Sequence, residues 1–234
     1  MTVVDVGHEV GEPCLTMGTT DAKGSDSHPR VLAEALLDDP PLLHHWSGEW
    51  QLGGITPAMG RMILRSMGTS AGRRIIETGA GLSTLLFLAT DPEKVISIAP
   101  EPDLFGRIVE AAKSRSIVTT PLRPISERSE LALPRLLESG ERFDLALLDG
   151  GHGWPTVFVD FCYTNAMLDE EGLIVVDDLQ LHSVRQLYLM LCQQPGFERV
   201  QKIGEKMAVF RKTTDECLLP DFRGQPFIVL NSDL

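Results

Sequence analysis

The chain has 234 residues, 43% of them hydrophobic, and 33 acidic against 21 basic residues for a formal net charge of −12. That length and hydrophobic content suit one packed domain with an extension and exclude a disordered or fibrous chain. The acidity argues against a nucleic-acid partner, because no excess of Lys and Arg is available to neutralise phosphates.

No apolar run approaches the roughly 20 residues of a membrane span. The first cation is Lys23, too late for a secretory leader. The four cysteines (Cys14, Cys162, Cys192 and Cys217) have neither metal nor disulfide spacing, which fits a reducing cytoplasm. Cys162 and Cys192 fall in helical patterns and are expected to be buried thiols.

In chain order, residues 1–28 are rich in Gly, Thr and Asp and predict a loose arm. A short helix is expected over 31–37, stopped by Asp39-Pro40-Pro41. Residues 44–54, His44-His45-Trp46-Ser47-Gly48-Glu49-Trp50-Gln51-Leu52-Gly53-Gly54, read as an aromatic, glycine-bearing loop. Thr56-Pro57 opens a helix that runs to Ser66, since Thr is a good N-cap and Pro suits the first turn.

From residue 73 strand and helix alternate. Strands are expected at 74–77, 95–98, 117–120, 143–149 and 173–177. Helices are expected from Pro102, at 129–137 and at 155–168. A further helix follows Asp177-Asp178, with Leu181, Val184, Leu187, Tyr188 and Leu191 on one stripe. The fourth and fifth strands are continuously apolar, as strands covered on both faces are. Such βα units predict an α/β fold with a doubly wound, mostly parallel sheet. Residues 197–203 and 207–212 flank Gly204-Glu205-Lys206 and predict a C-terminal antiparallel hairpin. Residues 213–234 read as a tail packed over the sheet or against a second copy, which leaves a homodimer open. The expected division is an arm and helical cap at 1–69, the sheet domain at 70–212 and the tail at 213–234.

One run carries the most information: Arg74-Ile75-Ile76-Glu77-Thr78-Gly79-Ala80-Gly81-Leu82-Ser83-Thr84. A β-branched strand ends in an acid, Gly-x-Gly follows, and an apolar helix starts. Glycines there tolerate positive φ and let backbone approach a ligand closely. Open α/β sheets bind ligands outside the carboxyl ends of their strands. Glu77, Asp149, Asp177 and Asp178 all stand at such ends, facing helix N-termini that offset part of their charge. A nicotinamide fingerprint is not met, since Thr84 holds its third glycine position. His152 lies in the loop Asp149-Gly150-Gly151-His152-Gly153-Trp154-Pro155. It reads as a general base, for which an imidazole suits neutral pH, or as a loop histidine bonded to a carbonyl. His182 reads as a helix-face residue or as a support behind the site, the former preferred.

The order strand, Glu, Gly-x-Gly, helix resembles the first motif of class I S-adenosylmethionine (SAM) methyltransferases. The parallel sheet with its terminal hairpin, over residues 70–212, resembles their Rossmann-like fold. Asp149-Gly150-Gly151-His152 with Asp177-Asp178 is similar to bacterial small-molecule methyltransferases with an Asp-Gly-x-His signature after the fourth strand, and to the catechol O-methyltransferase type. The resemblance implies SAM as cofactor, with Glu77, Gly79, Ala80, Gly81 and Ser83 at its methionyl end and Asp149 close by. Glu101 would take the ribose hydroxyls or merely open the next helix, because the family's usual acid position holds Ala99. Ser129 and Glu130 would lie on the adenine side or simply start a helix. The acceptor implied is a small molecule, methylated on a hydroxyl oxygen, with His152 and Asp149 as catalytic residues. In metal-dependent members three oxygen ligands hold Mg²⁺, and Asp149, Asp177 and Asp178 match that set by type and position. His44, His45, Trp46 and Trp50 lie where an N-terminal segment covers the cofactor. They would stack on a planar acceptor, box the sulfonium by cation–π attraction, or plug the core. A non-catalytic SAM-binding protein is the alternative with the same fold; a nicotinamide-dependent oxidoreductase is the more distant one.

Overall fold

The computed structural model describes residues 27–68 and 71–215. The expected arm over 1–26, the tail over 216–234, Cys14 and Cys217 lie outside the described residues.

Four elements precede the sheet: α1 (Ser27–Asp38), β1 (His44–Trp46), β2 (Glu49–Gln51) and α2 (Pro57–Met67). The segment expected as a loop is therefore an antiparallel hairpin, with His45 opposite Trp50. Its turn has consecutive positive φ at Ser47 (52°) and Gly48 (86°), as a two-residue hairpin turn requires. Strands of three residues are too short to show a period of two, so the turn was the only available signal. Thr56 caps α2 as expected, accepting from the Met59 N–H at 3.4 Å.

The βα alternation then runs β3 (Arg74–Thr78), α3 (Leu82–Leu88), β4 (Lys94–Ile98), α4 (Pro102–Ser114), β5 (Leu122–Ile125), α5 (Ser129–Glu138), β6 (Phe143–Leu148), α6 (Thr156–Met167), β7 (Leu168–Asp177) and α7 (His182–Gln193). The hairpin β8 (Phe197–Ile203) and β9 (Met207–Lys212) closes the described chain. The sheet order is β5-β4-β3-β6-β7-β9-β8. Strands β3 to β7 are parallel, and β9 inserts antiparallel between β7 and β8. The chain winds outward from β3 to β5, then returns to β6 on the other side of β3. That reversal opens a crevice above the carboxyl ends of β3 and β6.

Alternate residues of each strand serve opposite layers. Ile75, Val95, Leu145 and Val175 pack with α1 to α4. Ile76, Ile96, Ala146 and Ile174 pack with α5 to α7. Both faces are apolar because both are covered, and each fully buried Leu, Ile or Val contributes about 1.5–3 kcal/mol relative to exposure.

Several expectations are corrected. The third parallel strand is Leu122–Ile125, not 117–120. Ile117 instead closes α4, its N–H donating to the Ala112 carbonyl at 3.0 Å while Ser116 takes a φ of 58°. Pro124 reads as a strand breaker, yet β5 pairs only with β4 and an edge tolerates proline. Ile125 turns its carbonyl to the Ala99 N–H, so the neighbouring Pro124 faces outward. Strand β7 starts five residues earlier than expected, at Leu168 opposite Phe143, and a register shift then brings Leu173 opposite Leu145. Leu181 is the exposed residue before α7; the buried stripe is Val184, Leu187, Tyr188 and Leu191. Cys162 and Cys192 are exposed, each one step round its helix from the buried Phe161 and Leu191.

Candidate active site

The loop after β3 is fixed by sterics. Gly79 has φ 92°, and a Cβ there would stand 2.4 Å from the Asp149 carbonyl oxygen, a contact that no side chain could make. Its N–H donates to the Ile98 carbonyl at 2.9 Å. A Cβ on Gly81 would meet His44 Nε2 at 2.8 Å, so the cap hairpin seats directly on this loop.

Glu77 is 1% exposed. It accepts hydrogen bonds from Ser83 Oγ (2.6 Å), Thr84 Oγ1 (2.5 Å) and Ser97 Oγ (2.6 Å). Burial pushes its carboxyl up to about 7, against the pull of the three hydroxyls. Glu77 and Ser83 thus tie β3, β4 and the first turn of α3 together from behind the glycine loop.

A cavity of about 590 Å³ opens above the crevice, within the size range of small-molecule sites. Gly79 and Ala80, Ala99 to Glu101, Ser129 and Glu130, and Asp149 to His152 line it, with Asp178 at one end. His44, Trp46, Gly53 and Gly54 of the cap form its other wall. Of the residues expected at a cofactor, Gly79, Ala80, Glu101, Ser129, Glu130 and Asp149 meet here, while Glu77, Gly81 and Ser83 stand behind the wall. Glu101 both lines the cavity and precedes α4, 3.7 Å from the Arg107 guanidinium. Glu130 accepts from Arg128 at 2.8 Å and from Thr156 Oγ1 at 2.6 Å, and these two bonds hold its carboxyl down at about 2. The tryptophans do not plug the core: Trp46, Trp50 and Trp154 are all exposed, Trp154 at 76%. His182 is exposed at the start of α7.

The acidic corner holds Asp149, His152 and Asp178, whose donor atoms lie within 4.8 Å of one another. His152 Nε2 is 3.0 Å from Asp178 Oδ2 and 3.8 Å from Asp149 Oδ1. The Ser183 hydroxyl donates to the His152 carbonyl and ties this loop to α7. Burial, then the neighbouring Asp177, pushes the Asp149 carboxyl well above the usual carboxylate range. Asp177 is fully buried, and burial raises its carboxyl too. Burial also works to raise Asp178, but hydrogen bonds from Lys206 and Gln180 outweigh it and hold that carboxyl low.

The oxygen triad expected for Mg²⁺ is not assembled. Asp177 lies off the cavity wall, where its carboxyl meets that of Asp149 and also Lys206, whose ammonium is 3.4 Å from Asp177 Oδ2 and hydrogen-bonded to Asp178. The third donor beside Asp149 and Asp178 is an imidazole nitrogen. Mg²⁺ takes oxygen ligands in a strict octahedron, so these residues do not fit it. Sequence reasoning missed Lys206 because it reads as a turn residue; it set His44 in the segment over the cofactor, where His44 does line the cavity, but did not show its seat against Gly53 and Gly81, glycines apart in the chain.

The sheet order, the glycine loop and a cavity at the switch point define the class I methyltransferase architecture. Residues 76–179 match the family model of a methyltransferase domain. Over that span the chain matches a methyltransferase domain, and its fold is that of the class I methyltransferases. Among solved structures, the O-methyltransferase TomG of Streptomyces achromogenes, involved in tomaymycin synthesis and crystallised with SAM, aligns with a TM-score of 0.58 at 18% identity, over 82% of this chain and 92% of that one. An O-methyltransferase from Bacillus cereus in complex with S-adenosylhomocysteine (SAH) aligns with a TM-score of 0.56 at 13% identity, over 81% and 92%. The methyltransferase PaMTH1 of Podospora anserina, bound to SAH, gives 0.55 at 14% identity, over 83% and 91%. At these identities the likeness is one of fold. A comparison with curated proteins finds no match.

Proposed function

We propose that the protein transfers the methyl group of SAM to a hydroxyl oxygen of a small molecule. The observation that carries this reading is one cavity shared by the glycine loop and the His152–Asp178 pair. Three stations follow its rim. The methionyl end of SAM lies over Gly79 and Ala80. The ribose lies at Glu101, where a carboxylate suits a pair of hydroxyls. The adenine lies beside Ser129 and Glu130. The acceptor enters under Trp46 and Gly54, next to Asp149 and His152. Residues 27–68 act as its cap and 71–212 as the catalytic domain. Acidity disfavours nucleic-acid acceptors. No described helix is long and apolar enough to cross a membrane. The exposed Cys162 and Cys192 suit a reducing compartment, which we take to be a bacterial cytoplasm.

A sulfonium is already an activated donor, so the protein must align the reactants, exclude water and remove one proton. The new O–C bond forms as the C–S bond breaks, in line. His152 gives its Nε2–H to Asp178, which leaves Nδ1 to accept the hydroxyl proton. Asp178 then holds the imidazolium. Asp149 orients the acceptor hydroxyl. Glu77 acts at a distance, by holding the loop on which the donor rests.

Titration calorimetry with SAH, followed by a screen of phenolic and alcoholic acceptors with SAM, tests this. We expect SAH to bind and a hydroxyl acceptor to turn over. SAH binding with no turnover on any acceptor, unchanged in His152→Ala, would instead mean a SAM-binding protein without catalysis. Binding of NADH with indifference to SAH would reject the cofactor assignment.

A further inference from the structure

We infer that Lys206, set just behind the cavity wall, is a resident cation that orients the acidic corner of this site and opposes the binding of a divalent metal there. The inference rests on the reading of Asp149, His152 and Asp178 as the acceptor side. Lys206 stands in the β8–β9 turn, the far end of the hairpin that adds to β7. The ladder sets Asp177 opposite Met207, the next residue after the lysine. Its backbone is held on both sides: its carbonyl accepts from the Leu179 N–H at 3.0 Å, and its N–H donates to the Ile203 carbonyl at 3.0 Å. The turn that carries the side chain is therefore fixed. It hydrogen-bonds Asp178 Oδ1 and lies 3.4 Å from Oδ2 of the fully buried Asp177.

Asp178 thus uses one oxygen for Lys206 and the other for His152 Nε2 at 3.0 Å. A carboxylate bound through both oxygens cannot rotate, and its partner imidazole is aimed with it. The backbone of Asp178 is left-handed, at φ 60°, a conformation open to Asp, and it turns the side chain out of the strand. A metal ion joining Asp149, His152 and Asp178 would have to share Asp178 with an ammonium already in place, so like charges oppose its entry. Lys206 is on this account a positioning residue. It offsets the buried acids and orients the His152–Asp178 pair without any exchangeable ion.

The test is Mn²⁺ binding by electron paramagnetic resonance to the full-length protein and to Lys206→Met, with SAH affinity measured alongside. We expect wild type to leave the signal of free Mn²⁺ undiminished at millimolar metal. Lys206→Met should bind Mn²⁺ and should lose turnover about 10- to 100-fold, as for other residues that orient a reactive side chain, at unchanged affinity for SAH. Tight Mn²⁺ binding by wild type, a result that needs no variant to fold, would overturn the inference. So would a variant that neither gains metal nor loses turnover. Failure of wild type to bind SAH would instead overturn the assignment of the site.

Discussion

Glu77→Gln separates the two forces acting on the most deeply buried acid of the site. Burial pushes the Glu77 carboxyl from its ordinary 4.5 up to about 7, although three hydroxyls donate to it. The sign follows from proton counting. Between those values the native protein keeps a proton that the unfolded chain has released, so native binds more protons than unfolded. Stability must therefore fall as pH rises through this window and level off above about 7. The gap corresponds to about 3 kcal/mol. Glutamine has the same shape but nothing to titrate. Its amide nitrogen forces one hydroxyl to turn, a cost of about 1–3 kcal/mol that does not vary with pH. The assay is urea unfolding of both proteins from about pH 4 to about pH 8, read by circular dichroism. Other raised carboxyls whose shifts do not involve Glu77, such as those of Asp160 and Asp177, contribute equally to both and cancel in the difference. The wild-type advantage should be largest in acid and shrink by about 3 kcal/mol towards neutral pH. Parallel curves would refute the reasoning: the hydroxyls would then be keeping Glu77 ionised throughout.

Gly79→Val should abolish the rise in melting temperature that SAH produces, because its Cβ would fall 2.4 Å from the Asp149 carbonyl oxygen; a retained shift would place the pocket elsewhere. Gly54→Ala sets a methyl 2.9 Å from Asp149 Oδ1, so the acceptor KM should rise while SAH affinity, measured calorimetrically, stays constant. His152→Ala should lower kcat about 10²- to 10⁴-fold, the usual contribution of a general base, with SAH affinity unchanged; a loss below about tenfold would remove the base assignment.

What sequence could reveal followed the reach of its signals. The βα alternation was legible because strands covered on both faces are apolar at every position, as Leu145 to Leu148 are. The terminal hairpin was legible to the residue because its turn is glycine-marked and its strands are long. Strand β5 was not, because Pro124 speaks against a strand unless its edge position is known. Cys162 and Cys192 show how one step round a helix, about 100° of rotation, exchanges core for solvent. Within the site, the residues that line the cavity were found by their places at strand ends. Where each side chain points was not legible: Glu77 turns inward because Ser97, twenty residues away in sequence, offers a third hydroxyl. Asp177 was taken for a ligand because it neighbours Asp178, yet it ends β7 fully buried, while Asp178 is the first residue past the strand and reaches the cavity.

Pro124 has one more effect, on how molecules of this protein could meet. Its ring carries no N–H, and it faces away from β4 on the margin of the sheet. A foreign strand laid along that margin would find the row of donors broken at its middle. The proline therefore protects this flank against end-to-end fibre growth, and any sheet continued from one molecule to the next must start from the opposite border, along β8.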